Sequence, residues 1–168
     1  MSRSRDPLAE PKAIGEDVEA LVIDAVDGLQ AAGNAEAFYD AVATDVIGPR
    51  TAPTVSFGGI PLVDADTLVE IKACKRHVSN GARGNRPGRW LIPVDQLDAM
   101  VSESGVFLLA VYEEHEDAKR LVEMVIVPAT LLEEHLRDSW YEVDRHEQEV
   151  AQLPWPELVG RGVTGDGR

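Results

Sequence analysis

Between Val18 and Leu29, apolar residues fall at Val18, Leu21, Val22, Ala25, Val26 and Leu29, the spacing of one helix face. Glu16, Glu19, Asp24 and Asp27 take the other face. The pattern predicts an amphipathic helix that begins near Gly15 and is ended by Ala31-Ala32-Gly33-Asn34. Asn34 can cap a second, shorter helix with Phe38, Ala41 and Val42 on its apolar side, and Pro49 and Pro53 close the helical region. The period then changes to two. Thr54 to Phe57, Ile60 to Val63 and Leu68 to Ala73 read as strands, with Gly58-Gly59 and Asp64-Ala65-Asp66-Thr67 as turns and a hairpin expected around Ala65-Asp66. Ser79 to Pro87 holds too much Gly, Asn and Pro for regular structure and reads as a loop. Further on come a short strand at Trp90 to Ile92, a helix from Val94 to Ser102 and a nearly all-apolar strand from Val106 to Tyr112, of the kind central sheet positions require. Another strand spans Leu121 to Val127. Thr130 and Glu133 have capping-box spacing for a helix through Leu136, and a last strand is expected at Val150 to Leu153. The order predicts one mixed α/β domain without internal repeats, spanning residues 15–160 between a flexible leader (1–14) and a flexible tail (161–168).

Composition narrows the class. The 168 residues suit a single domain, and 44% hydrophobic content is enough for a core. No apolar run approaches the length of a membrane span, and Met1 to Pro11 lacks the apolar stretch of a secretory signal, so the chain reads as cytoplasmic. Cys74 is the sole cysteine, which excludes an internal disulfide, and no Cys or His set has zinc spacing. The net charge is −14, lysine is confined to Lys12, Lys72, Lys75 and Lys119, and acids are spread along the chain. Such dispersed acidity suits a salt-rich cytoplasm, where screening relieves repulsion among carboxylates.

Charge is distributed unevenly, however. From Ile71 to Val94 there is no acid, while Lys72, Lys75, Arg76, Arg83, Arg86 and Arg89 give +6 in 24 residues and leave −20 for the remainder. Arginines in a Gly- and Asn-rich segment suit a surface that tracks phosphates, with a latch onto the protein's own acids as the alternative. Directly before the island, Leu68-Val69-Glu70-Ile71-Lys72-Ala73 puts Glu70 and Lys72 on one strand face and Val69, Ile71 and Ala73 on the other. A carboxylate and an ammonium side by side on a buried-looking strand can serve a hard cation and a developing negative charge. A solvated edge pair is the bland reading of the same residues.

Asp64, Glu70-Ile71-Lys72, the basic segment, Arg89-Trp90-Leu91-Ile92 and the Phe107 to Tyr112 strand together resemble the PD-(D/E)XK nuclease superfamily, in a haloarchaeal or haloviral flavour. The resemblance implies a restriction-endonuclease-like fold, a mixed central sheet flanked by helices, and metal-dependent hydrolysis of DNA phosphodiesters. It further implies Mg²⁺, or Mn²⁺ in its place, held by Asp64, Glu70 and the Ile71 carbonyl. Lys72 would orient the attacking water, and Lys75, Arg76, Arg83, Arg86 and Arg89 would contact DNA. A homodimer is a common arrangement for enzymes that cut both strands.

The first acid departs from the superfamily pattern, in which an Asp often precedes the Glu by ten or more residues and Asp64 by only six. In a tight hairpin Pro61 would face Glu70, so Asp64 needs a wide or bulged turn; Asp66, Glu16 and Glu19 are the other candidates. The gap supports a rival, a catalytically impaired nuclease-fold module that binds nucleic acid or a protein partner. An acidic interaction protein whose basic loop docks on another subunit is the third reading. Gln96 lies where some members carry a helical polar residue near the site, although a surface glutamine is expected. Cys74 reads as packing, His77 as a turn residue or phosphate contact, Glu113 to Asp117 as a solvated loop, and Trp140 and Trp155 as core plugs.

Overall fold

The structure, a computed structural model, describes residues 9–33, 37–47, 56–57, 63–143 and 148–159. Its elements in chain order are α1 (Ala9–Ala25), β1 (Leu29–Ala31), β2 (Ala41–Ala43), β3 (Ser56–Phe57), β4 (Leu68–Lys75), β5 (His77–Ser79), β6 (Asn85–Pro87), β7 (Arg89–Pro93), α2 (Val94–Ser102), β8 (Val106–His115), β9 (Ala118–Pro128), α3 (Ala129–His135), β10 (Trp140–Val143) and β11 (Gln148–Pro154). The central sheet has the order β1-β2-β4-β8-β9-β3. It is mixed: β4 runs parallel to β8 and β3 to β9, while the β1–β2, β2–β4 and β8–β9 pairs are antiparallel. A smaller antiparallel sheet, β10-β11-β7, lies beside it, and β5 and β6 form a separate two-stranded arm. This is the α/β class expected from the sequence.

Two apolar clusters cover the two faces of the central sheet. On one, Val22 of α1 and Val26 just after its end pack with Val69, Ile71, Leu108, Ala110 and Met124. On the other, Trp90, Ile92, Leu97, Met100, Ala151 and Leu153 pack with Cys74, Phe107, Leu109 and Val111. Strand β8 is buried from Val106 to Tyr112, which explains its unbroken apolar run: it is covered on both faces and paired on both edges. Helix α2 spans the predicted residues and buries Leu97 and Met100. Gly88 and Gly105 are close-approach positions. A Cβ at Gly88 would overlap the Lys75 carbonyl, so that crossing needs glycine, whereas one at Gly105 would displace the end of the Met100 side chain.

Several expectations are corrected. Helix α1 begins at Ala9, inside the expected leader, and ends at Ala25, after which Leu29 enters β1. The residues around Ala41 form a strand, not a second helix. Their weak helix preference is overridden because Ala41 and Ala43 are fully buried in β2 and the chain pairs with β4. Among the described residues, no Ala65-Asp66 hairpin joins two strands of the sheet. The turn is real, with Asp66 at φ 67°, but it closes on β2 through Asp66 N–H to the Ala43 carbonyl and Ala43 N–H to the Thr67 carbonyl. Val63 makes only an isolated bridge to Ile47.

Ser79 to Pro87 is not irregular: Gly81 and Gly84, both at positive φ, turn the chain tightly enough for β5 and β6 to pair. Glu113 to Asp117 is likewise no loop. β8 and β9 run out to His115 and Ala118, with Glu116 and Asp117 in left-handed conformation as a two-residue turn. The expected Thr130 cap is replaced by Pro128, which makes no side-chain capping bond. The expected Asn34 cap, Pro49, Pro53, Pro61, the strand residues 60–62, the Gly58-Gly59 turn, residues 1–8 of the leader and the 161–168 tail lie outside the described residues. Among the described residues, no helix is long and apolar enough to cross a membrane.

Candidate active site

Strand β4 is buried on both faces, and its alternation divides them. Val69 and Ile71 face α1; Glu70, Lys72 and Cys74 face the side covered by α2 and β7. Glu70 is only 2% exposed, whereas the Lys72 side chain is 24% exposed and reaches toward the rim. Lys72 Nζ lies 2.8 Å from Glu70 Oε1. The same oxygen accepts a 2.5 Å hydrogen bond from Gln96 Nε2. Gln96 is thus no surface residue: it stands in the first turn of α2, beside buried Leu97 and one turn before buried Met100, which holds it over the strand.

Across the other edge of β4 stands Asp40, which the sequence reading did not select. The ladder pairs Ala41 with Val69 and Val42 with Leu68, so one step further brings Asp40 opposite Glu70. Asp40 N–H donates to the Val69 carbonyl at 3.1 Å, Ala32 N–H donates to the Asp40 carbonyl at 2.9 Å, and Asp40 Oδ2 accepts from Ile71 N–H at 2.8 Å. Its carboxylate therefore takes the place of the next backbone partner of β4 and is fixed beside Glu70. Burial pushes the Glu70 carboxyl up to about 8; Lys72 pulls the other way, and the neighbouring Asp40 carboxylate adds to the rise. Desolvation outweighs the ion pair.

Glu70 Oε2 and Gln96 Oε1 are buried without a hydrogen-bond partner. An orphaned carboxylate oxygen next to a second carboxylate is an arrangement a cation would relieve. The donors fit a hard ion: two carboxylates and the Ile71 carbonyl, which on a strand points to the same edge as the Ile71 N–H that Asp40 accepts from. Among the described residues no group of three or more His, Cys, Asp and Glu side chains converges, so such an ion would keep several waters, as Mg²⁺ commonly does.

The other sequence candidates fall elsewhere. Asp64 and Asp66 are exposed in the turn that closes on Ala43, at the opposite end of β2 from Asp40; the register of β2 on β4, rather than a local hairpin, decides which acid faces Glu70. Glu19 is half-buried on α1, which packs on the Val69/Ile71 face, and the Glu16 side chain lies outside the described residues. Lys75 pairs with Glu114 at 3.1 Å, and Arg76 pairs with Glu113 at 2.7 Å. For these two the latch onto the protein's own acids is what forms. Arg120 also reaches Glu113, at 3.0 Å, and the two guanidinium groups hold the Glu113 carboxyl below its usual range. These groups line an open cleft of about 760 Å³ past the end of β4, some three residues, or roughly 10 Å, along the strand from Lys72. Arg89 bonds Gln152 at 2.8 Å. Arg83 and Arg86 are exposed on the β5–β6 arm and form no ion pair among the described residues. His77 is exposed on the arm, and Cys74 is buried, its thiol pushed up to about 12 by desolvation. Trp155 sits half-buried at the core's edge, donating to the Arg76 carbonyl at 2.8 Å.

Asp40 had one available signal. It precedes Glu70 by thirty residues, which meets the superfamily spacing that Asp64 fails, but the Ala-rich run around it hid the strand. No curated protein and no solved structure matches the chain. The PD-(D/E)XK nuclease superfamily domain model matches residues 4–160, nearly the whole sequence, and with Glu70-Ile71-Lys72 on a central strand of a mixed sheet the chain belongs to that superfamily.

Proposed function

We propose that this protein is a divalent-metal-dependent nuclease that hydrolyses DNA phosphodiesters, with Asp40, not Asp64, as the acid that partners Glu70. The observation that carries the reading is the juxtaposition of Asp40 and Glu70 across the end of the β2–β4 ladder, with Glu70 Oε2 lacking any donor. Asp40, Glu70 and the Ile71 carbonyl would hold the cation. When bound, Mg²⁺ or Mn²⁺ would supply Lewis-acid polarisation of the scissile phosphate and a lowered pKa for an attacking water. Lys72, 2.8 Å from Glu70 and partly exposed, orients that water and offsets the negative charge that grows on the phosphate oxygens. Gln96 fixes the Glu70 carboxylate by donating to Oε1, which leaves Oε2 available to a cation that the site would hold. Arg83 and Arg86, uncommitted on the arm, hold backbone phosphates. The rival of an impaired binding module rests on the missing first acid, a place that Asp40 would fill on this reading.

The test is cleavage of plasmid DNA and of single-stranded DNA with Mg²⁺, with Mn²⁺ and with chelator. Cleavage is expected to require the metal, to be abolished in Glu70→Gln and Asp40→Asn, and to persist in Asp64→Asn. Full cleavage by folded Asp40→Asn protein, or undiminished cleavage in chelator, would overturn the reading.

A further inference from the structure

Two residues before Asp40, the Phe38 ring is 41% exposed, one of few large apolar side chains left open to solvent among the described residues. The ring is braced. Tyr39 packs partly buried against the apolar cluster on the Glu70 face and meets Phe38 edge-to-face, with centroids 5.3 Å apart and planes at 83°. The backbone beneath is fixed through both the N–H and the carbonyl of Asp40. Two residues of chain reach at most about 7 Å, so the Phe38 backbone lies within that distance of the Asp40 backbone. An open depression of about 430 Å³ runs along β1 and β2, lined by Gln30, Val42, Thr44 and Asp66 among others.

From this placement we infer that Phe38 is a stacking platform for a nucleobase next to the scissile phosphate, and that the substrate is therefore DNA with unstacked bases: single strands, frayed ends or flaps. The inference rests on the nuclease reading for the position of the phosphate. A base within a duplex already has both faces covered by its neighbours, so a braced aromatic ring at the site can engage only a base that is free of the stack. Tyr39 holds the ring in place, so little of the binding energy is spent on ordering it. An isolated exposed phenylalanine elsewhere on the surface would carry no such meaning; this one is two residues from the acid that partners Glu70 on the nuclease reading.

The experiment uses a single-stranded oligonucleotide carrying 2-aminopurine, whose fluorescence is quenched by stacking, bound to the full chain without divalent metal. It is joined to steady-state cleavage of single-stranded and duplex DNA with Mg²⁺. Wild-type protein is expected to quench the probe and to prefer single strands. Phe38→Ala and Phe38→Leu should abolish the quenching and raise KM roughly 10- to 100-fold with little change in kcat, the scale of one base stack. Phe38→Trp should restore both, which a purely structural role for an apolar residue would not require. Wild-type quenching and KM in Phe38→Leu would overturn the inference while leaving a cleaving enzyme intact. Quenching that depends on Phe38 in a protein unable to cleave would keep the stacking role and defeat the nuclease reading. A wild-type protein that neither quenches nor cleaves would defeat both.

Discussion

Gln96 Nε2 and Glu70 Oε1 are 2.5 Å apart, although one belongs to a helix and the other to a central strand, 26 positions earlier in the chain. The hydrogen bond joins the α2 layer to the carboxylate, so that Glu70 has one oxygen held from above by Gln96 and Lys72 and the other, Oε2, left without a donor. A carboxylate so divided can be oriented by the protein and still offer a lone pair to a ligand.

From that division follows a graded mutational response. Lys72→Ala should lower cleavage by about 10²- to 10³-fold, the scale of losing one group that stabilises transition-state charge. Gln96→Leu removes only the orienting donor, and should cost about 10- to 100-fold, chiefly through weaker metal affinity. Titrating Mg²⁺ against initial rate separates the two: the Gln96→Leu loss should be partly recovered at high metal and the Lys72→Ala loss should not.

The Glu70 carboxyl, raised to about 8 from an ordinary 4.5, makes the metal-free protein's stability pH-dependent in a defined direction. The native state holds a proton that the unfolded state releases near 4.5. Its contribution is therefore fully present below about 4.5 and is lost as pH rises through about 8. Urea unfolding of metal-free protein should show stability falling across that window, with the slope reduced in Glu70→Gln. Metal binding should show the opposite trend, tightening as pH approaches 8, with proton uptake by buffer detectable by calorimetry at neutral pH.

How far the sequence disclosed this arrangement depended on the range of the interactions. The Glu70–Lys72 relation was legible because two residues on one strand share a face whatever the tertiary fold. Helix α2 and strand β8 were legible because each carries its own periodicity. Asp40 was not, because a three-residue strand has no period to read and its meaning comes from register with a strand nearly thirty residues later. Gln96 is ambiguous in the sequence for the same reason: which side of α2 faces the sheet is decided by Leu97 and Met100 packing, and a single polar residue at the border of that face fits either side. The basic island divided in a way that composition could not foretell, since its pairing with Glu113 and Glu114 depends on the parallel alignment of β4 and β8.

That division sets an expectation for DNA binding. Arg83 and Arg86 are uncommitted on the arm, whereas Lys75, Arg76 and Arg89 already have partners in the protein. Replacing Arg83 and Arg86 together with Ala should lower the slope of log K against log salt on duplex DNA by about 0.9 for each phosphate that the arm no longer neutralises. Arg89→Ala should change the slope far less. The measurement is fluorescence anisotropy of a labelled duplex across a KCl series, and an arm variant with the wild-type slope would return these arginines to the role of a protein-docking surface.

Salt should also govern folding and activity as a whole, because a remainder of −20 accompanies a +6 segment that, on the nuclease reading, must approach a polyanion. At low ionic strength the acidic shell repels itself and repels DNA. At about 1 M salt the Debye length falls to about 3 Å, so those long-range terms vanish and only direct interactions survive, namely arginine to phosphate and carboxylate to metal. Folding is therefore expected to strengthen with salt. Cleavage should rise with it and then decline, as the weakening of counterion release overtakes the relief of repulsion. Circular dichroism and cleavage rate, followed from about 0.1 to 3 M KCl, would span the change in screening length. A protein fully folded and fastest at the lowest salt would contradict the halophilic reading of its acidity. Gain of structure with KCl that equimolar sucrose fails to reproduce would attribute the effect to charge screening, because sucrose strengthens burial by exclusion from the surface and leaves the Debye length unchanged.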